Sequence, residues 1–345
     1  MSNNTRKVKW TDIGEWEHPG KAVMKTLTDI TQYTEYVEKL NAMFDTEDDD
    51  DDIDVEEEPL NTYTKENFLA DVYISEKQYD TLEGLLRKKL NVILQGAPGV
   101  GKTYAAKRLA YSMMGVKDPE RVQLVQFHQS YSYEDFVEGF RPSSTRMNFE
   151  IKKGAFYNFC KKASDDKENE YFFIIDEINR GNLSKIFGEL FMLIEADKRG
   201  NDIQLLYSSD KFSVPKNVYI IGMMNTADRS LAMIDYALRR RFAFYEMKPA
   251  FESEGFREYQ YGLENDKFNK LIDCVISLNQ KIADDESLGE GFCIGHSYFC
   301  DIEEIKENTL TDIVEFEIIP LLKEYWFDEP SKVKEWTDRL RSAVK

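Results

Sequence analysis

The sequence predicts an α/β fold in which a parallel sheet is flanked by helices and followed by a small helical module. Three observations predict it. Apolar runs at residues 92–94, 122–127, 171–175 and 218–223 lack a consistently polar face, as strands covered on both sides do. Helical periodicity falls between them, the pattern of strands joined by helical crossovers. After Pro249 such runs stop and helical spacing takes over, as in Phe268-Leu271-Ile272-Val275-Ile276 and from Ile313 to Leu322.

The elements follow in order. Residues 1–44 are polar, with helical spacing at Val23, Met24, Leu27 and Ile30, and read as a short helical appendage. From Asp45 to Glu58, eleven of fourteen residues are acidic and none is basic, which reads as a disordered linker because like charges repel. This run holds more than half of the formal net charge of −19. So acidic a chain is poorly suited to tight DNA binding by itself. Ser75 with Gln78 resembles a capping box opening a helix that carries Tyr79, Leu82, Leu85 and Leu86 on one side. Residues 204–207 and 211–214 read as a hairpin around Ser208-Ser209-Asp210. The expected division is 1–62 as appendage and linker, 63–248 as the α/β domain and 249–345 as the helical domain.

No apolar run is long enough to cross a bilayer, and no apolar stretch follows the charged N-terminus. The expectation is a cytoplasmic protein with no membrane partner. Four cysteines without paired spacing and three histidines speak against a zinc site. Cys293, His296 and Cys300 lack a fourth ligand.

Gly96-Ala97-Pro98-Gly99-Val100-Gly101-Lys102-Thr103 follows the first apolar run and opens a helix. Glycines let backbone N–H groups turn onto phosphates, and the helix N-terminus adds partial positive charge. Lys102 reaches the outer phosphates, and Thr103 offers a hydroxyl to Mg2+. This is a nucleoside-triphosphate site. The run 171–175 ends in Asp176-Glu177, delivering two acids to the same sheet edge as Lys102. Asp176 is the expected second Mg2+ ligand and Glu177 the base for the attacking water. An acidic pair capping the next helix, near Leu183, is the plainer alternative. Asn225, at the end of the run 218–223, is placed to hold the water or the γ-phosphate; a turn-forming Asn is the alternative.

Leu231, Ile234 and Leu238 fall on one helical face ending in Arg239-Arg240-Arg241. Cations suit a helix C-terminus electrostatically. In a ring the same arginines would project into a neighbour's site and stabilise phosphoryl charge. Tyr131, Tyr133, Phe136 and Phe140 form an aromatic cluster, read as core or as a loop lining a ring's central hole. His128 reads as a strand-edge histidine with a structural hydrogen bond, and His296 as a packed tertiary contact or a lid residue reaching the nucleotide.

The residues resemble the AAA+ motor of McrB-type proteins, the nucleotide-hydrolysing subunit of a restriction system that cleaves DNA containing methylated cytosine. The resemblance runs over residues 63–330. It rests on Gly96 to Thr103, Phe127 to Phe136, Asp176-Glu177-Ile178-Asn179-Arg180-Gly181-Asn182, Met224-Asn225-Thr226-Ala227-Asp228-Arg229-Ser230, Asp235 to Phe242 and Ile294 to Phe299. The stretch from Met224 to Ser230 is the most specific. The resemblance implies an AAA+ P-loop NTPase sheet with a helical lid, GTP as substrate, and Mg2+. It also implies a homo-hexamer, an McrC-type nuclease partner, and DNA engaged indirectly through the complex in phage defence. By resemblance, Asn179 contacts nucleotide, Asn225 and Asp228 position water and receive partner input, and Arg240 and Arg241 act in trans. McrB-type proteins usually carry an N-terminal reader of modified DNA, whereas the residues before the α/β part here are acidic, as expected either of a motor without its own reader or of a piece of a longer protein. No Asn-Lys-x-Asp guanine element is present, so the residues alone leave ATP as the default nucleotide. Two alternatives share these motifs: a MoxR-like AAA+ ATPase chaperone, and a slow nucleotide-gated assembly module.

Overall fold

The computed structural model describes residues 61–142, 149–228, 236–302 and 304–345. The expectations for the appendage, the acidic linker, Leu231 and Ile234 lie outside these residues.

Helix α1 (Lys65–Asp71) precedes α2 (Glu76–Lys89), which opens on the expected capping box. The Ser75 N–H donates to Gln78 Oε1 at 2.9 Å and the Gln78 N–H to Ser75 Oγ at 3.3 Å. Strand β1 (Asn91–Gly96) then feeds α3 (Lys102–Met114). Strand β2 (Val122–Gln126) is followed by the antiparallel pair β3 (Glu138–Pro142) and β4 (Phe149–Lys153), then α4 (Ala155–Asp165). Strand β5 (Tyr171–Asp176) leads to α5 (Leu183–Phe187), opened by Asn182, whose Oδ1 accepts the Lys185 N–H. A two-residue pair, β6 (Ile203–Gln204) and β7 (Lys211–Phe212), precedes β8 (Val218–Asn225). Helix α6 (Tyr236–Arg241) carries the arginines into β9 (Ala243–Glu246). After it come α7 (Glu254–Gly262), α8 (Asp266–Ala283), a helical run from Thr309 to Tyr325, and α9 (Pro330–Val344), which packs on α8.

The main sheet has the order β2-β5-β8-β1-β9, and every neighbouring pair is parallel. Alternate residues face opposite layers, as the pleat requires. Val92, Leu94, Phe172, Ile174 and Ile221 pack under α1 to α3 and the later helices. Ile93, Phe173, Ile175, Val218 and Ile220 pack under α4 and α5. Burial on both faces is why the central strands have no polar side.

Three local expectations change. Strand β2 leaves Leu124 39% exposed, because it is the sheet edge and lacks full cover. The hairpin strands are shorter than 204–207 and 211–214, because Tyr207 and Ser208 turn away to donate their N–H groups to the buried Glu138 carboxylate at 2.9 Å. The aromatic cluster divides: Tyr133 and Phe136 enter the core and Tyr131 stacks on Phe127, while Phe140 is exposed on β3. The β3–β4 pair and the edge strand β9 went unread in the sequence, being short and mixed in polarity.

A buried Arg199 stands behind the sheet. It donates to the carbonyls of Ile194 and Val218 and to Asn91 Oδ1, the last at 2.7 Å. Burial without a carboxylate lowers its pKa to about 10.

Candidate active site

Parallel strands deliver their carboxyl ends to one edge. In register, Gly96 of β1 sits opposite Asn225 of β8, while Asp176 closes β5. Three chain segments far apart in sequence therefore meet at the opening of α3, as expected where ligands bind open α/β sheets.

The loop 97–101 passes through two left-handed glycines, Gly99 (φ 75°) and Gly101 (φ 76°), which non-glycine residues adopt only with strain. Gly101 caps α3 without a side-chain acceptor, so the first-turn N–H groups face the loop's hollow. Lys102 is buried, and its Nζ donates to the carbonyls of Gly96 and Ala97, each at 2.9 Å. Desolvation lowers its pKa to about 8, while Glu177, Asp176 and Asp228 pull it upward. Thr103 is exposed on the first turn.

Asp176 accepts the Glu177 N–H at 2.9 Å. Thr103 and Asp176 together offer a hydroxyl and a carboxylate. That donor set suits Mg2+, which takes one or two protein oxygens and completes its shell with water and phosphate. Glu177 sits in the left-handed region (φ 50°, ψ 44°) for a non-glycine residue, a strain of about 1–3 kcal/mol retained at functional positions. Its Oε1 accepts from Asn225 Nδ2 at 2.9 Å. Asn179 lies on the next turn, with Oδ1 buried and without a hydrogen-bond partner.

Arg180 was not singled out in the sequence. Its Nε lies 3.1 Å from Glu177 Oε2, and its guanidinium donates to Asp228 Oδ2 at 3.0 Å. The signal was a cation three residues after Glu177, one short helical turn away.

The segment after Gly291 docks on the loop. The Gly295 N–H donates to the Pro98 carbonyl at 3.1 Å and the Ser297 N–H to the Gly99 carbonyl at 2.9 Å. Thr226 ties β8 to both sides: its N–H donates to the Gly96 carbonyl and its hydroxyl to the Gly291 carbonyl. His296 is a packed tertiary contact, its Nδ1 accepting the Ala250 N–H at 3.1 Å. It also lies beside the loop, since a Cβ on Gly101 would stand 3.8 Å from its Nε2. Burial lowers its pKa to about 4, so it is neutral. Cys300 donates to the His296 carbonyl and Cys293 to that of Asn279. His128 is exposed beyond β2, edge-on to Tyr131.

A cavity of about 280 Å³ adjoins the loop. Asp71, Tyr73, Gly101, Tyr104, Pro249 and His296 are among its walls. Asp71 Oδ2 is held by the Tyr63 hydroxyl at 2.6 Å and Arg108 Nε at 3.0 Å.

The arginines lie at the other end of β1. Asn91 Nδ2 donates to the Arg241 carbonyl at 3.1 Å, and Lys89 Nζ to the Arg240 carbonyl at 3.3 Å. A strand of this length separates them from Gly96 by about 17 Å, so they stand away from their own chain's loop. Arg241 Nε donates to the Phe191 carbonyl at 2.7 Å, and its guanidinium pairs with Glu195 at 3.0 Å. Arg239 and Arg240 are exposed.

Residues 91–242 match the AAA domain of the dynein-related subfamily, and residues 270–334 match the McrB alpha-helical lid domain. Over 291 residues the chain is 50% identical to the type IV methyl-directed restriction enzyme EcoKMcrB subunit of Escherichia coli, covering 81% of this chain and 63% of that protein. It is 25% identical over 247 residues to the type II restriction enzyme BsuMI component YdiS of Bacillus subtilis, covering 59% of this chain and 72% of that one. The chain thus spans somewhat under two thirds of the length of the Escherichia coli relative.

Proposed function

From a chain built as an McrB-type subunit, an AAA domain followed by the McrB helical lid, we propose an Mg2+-dependent nucleoside triphosphatase that uses GTP. In this reading it assembles as a hexamer and drives DNA translocation and cleavage by an McrC-type nuclease subunit in modified-DNA restriction. The observation that carries the proposal is the meeting of Lys102, Asp176, Glu177 and Asn225 at the carboxyl ends of three adjacent strands.

The loop N–H groups and Lys102 bind the phosphates, with the ammonium exchanging its carbonyl partners for phosphate oxygens. Mg2+, when bound, neutralises charge on the phosphate oxygens, and Thr103 and Asp176 are the residues that would hold it. Glu177 takes the proton of the attacking water, which Asn225 orients; both side chains are already within hydrogen-bond distance of one another. Asn179, whose buried oxygen has no hydrogen-bond partner, is the residue of this turn that would contact the nucleotide, and Asp228 is tied to Arg180 beside the water-positioning groups. Arg240, exposed and distant from its own loop, completes a neighbour's site. Arg241 fixes the helix end from which it projects.

The cavity beside Gly101 supports a base site. Asp71 lines the cavity, and with Oδ2 held by Tyr63 and Arg108 its other oxygen is the acceptor it offers to the N1–H or N2–H2 donor of guanine, whereas adenine presents an acceptor at N1. The two restriction-enzyme relatives support the setting. The test is steady-state hydrolysis of GTP and ATP by wild type and Glu177→Gln. The variant is expected to keep KM and lose about 10²–10⁴-fold in kcat. An unchanged kcat removes Glu177 from the reaction.

A further inference from the structure

We propose that Asn91, held in orientation by the buried Arg199, aims Arg240 at a neighbouring copy's phosphates, with Lys89 as a second support. Both are positioning residues. The inference rests on the reading of Arg240 as the arginine that acts in trans. Helix α6 has six residues, too few to be stable alone. The last carbonyls of a helix have no partner within it. Here two side chains supply one, from the start of β1 and the end of α2. Asn91 Nδ2 donates to the Arg241 carbonyl and Lys89 Nζ to the Arg240 carbonyl. The exposed Arg240 side chain therefore leaves from a backbone held at two successive carbonyls.

Arg199 decides which way Asn91 faces. A guanidinium only donates, so the Asn91 oxygen turns to it, at 2.7 Å. The Asn91 amide nitrogen is thereby directed at two carbonyls, those of Ile194 at 2.7 Å and Arg241. Arg199 donates to the same Ile194 carbonyl. Arg241 in turn rests on the Phe191 carbonyl and on Glu195, so the segment 191–195 is tied both to Asn91 and to the end of α6. Asn91 and Arg199 are both buried. A buried guanidinium without a carboxylate is costly, and orienting one amide at the root of the arginine helix accounts for its place. Asn91 also opens the strand that ends at Gly96, so β1 carries the phosphate loop at one end and the mount of Arg240 at the other.

The test is turnover by the full chain carrying Asn91→Asp or Lys89→Met, alone and in mixtures, with nucleotide Kd and thermal midpoint measured alongside. Asn91→Asp keeps an acceptor for Arg199 but sets oxygen against the Ile194 and Arg241 carbonyls. Lys89→Met removes the exposed donor and leaves the buried contacts intact, so it carries the test alone if Asn91→Asp does not fold. We expect kcat to fall about tenfold in Asn91→Asp and about threefold in Lys89→Met, at unchanged Kd. Equimolar Lys102→Ala protein, which keeps its arginine but lacks a working loop, is expected to raise the turnover of either variant. Arg240→Ala protein is expected not to. A merely structural role would lower the thermal midpoint and be rescued by neither. The proposal is overturned by wild-type kcat in Lys89→Met, or by a loss of kcat that Lys102→Ala protein does not rescue. Failure of the control mixture, Arg240→Ala with Lys102→Ala, would instead refute the trans role of Arg240 beneath it.

Discussion

Gly295 rests directly on Gly99: a Cβ built on Gly295 would stand 1.9 Å from the Gly99 carbonyl carbon. The segment that follows the last strand by nearly fifty residues is therefore in backbone contact with the phosphate loop. Any shift of that segment moves the Pro98 and Gly99 carbonyls it bonds.

Gly295→Ala is accordingly expected to cost about 1–3 kcal/mol, because the clash is with backbone that has no rotamer to yield. Nucleotide affinity should fall with the thermal midpoint. Gly262→Ala is the control, since nothing stands within 4 Å of its Cβ. Equal melting and equal Kd for both variants would show that the contact does not matter.

Lys102 predicts a pH dependence. Its free-state pKa is lowered to about 8 by burial, and phosphate binding favours the charged form. Affinity is thus full below pH 8 and declines as pH rises above it, by up to about tenfold per unit. Calorimetry at about pH 9, in two buffers of different ionisation enthalpy, is expected to record uptake of nearly one proton on binding. A pH-independent Kd without proton uptake contradicts the shift.

Asp71→Asn tests the base site. The variant retains size but replaces one acceptor oxygen with a donor, which opposes guanine. We expect GTP affinity to fall about 5- to 150-fold, by about 1–3 kcal/mol, with ATP affinity changing less. Parallel loss for both nucleotides would assign Asp71 to the Tyr63–Arg108 support alone.

Arg240 and Arg241 are expected to separate. Arg240→Ala should melt like wild type, whereas Arg241→Ala loses its contacts to Phe191 and Glu195 and should be destabilised by about 1–3 kcal/mol. Mixing Arg240→Ala with Lys102→Ala protein pairs an intact loop with an intact arginine and is expected to restore turnover above either variant alone. No restoration at any mixing ratio would remove Arg240 from a shared site.

Much of this arrangement is local and so was legible in the residues. The loop Gly96 to Thr103, the Ser75 capping box and the buried runs of β1, β5 and β8 each depend on neighbours within a few positions. Backbone conformation and strand burial act at that range. Short elements of mixed polarity, such as β3, β4 and β9, are stabilised mainly by what they pair with. Their spacing therefore gave no warning. Only the tertiary structure decided that Arg180 bridges Glu177 and Asp228, that Gly295 lies on Gly99, and that Arg241 contacts Phe191 and Glu195 while Arg240 is exposed. Apart from Arg180 and Glu177, which are three residues apart, those are relationships between segments up to two hundred residues apart. The long-range ones follow from how the sheet edge and the helical part pack, and no residue's nearest neighbours encode them.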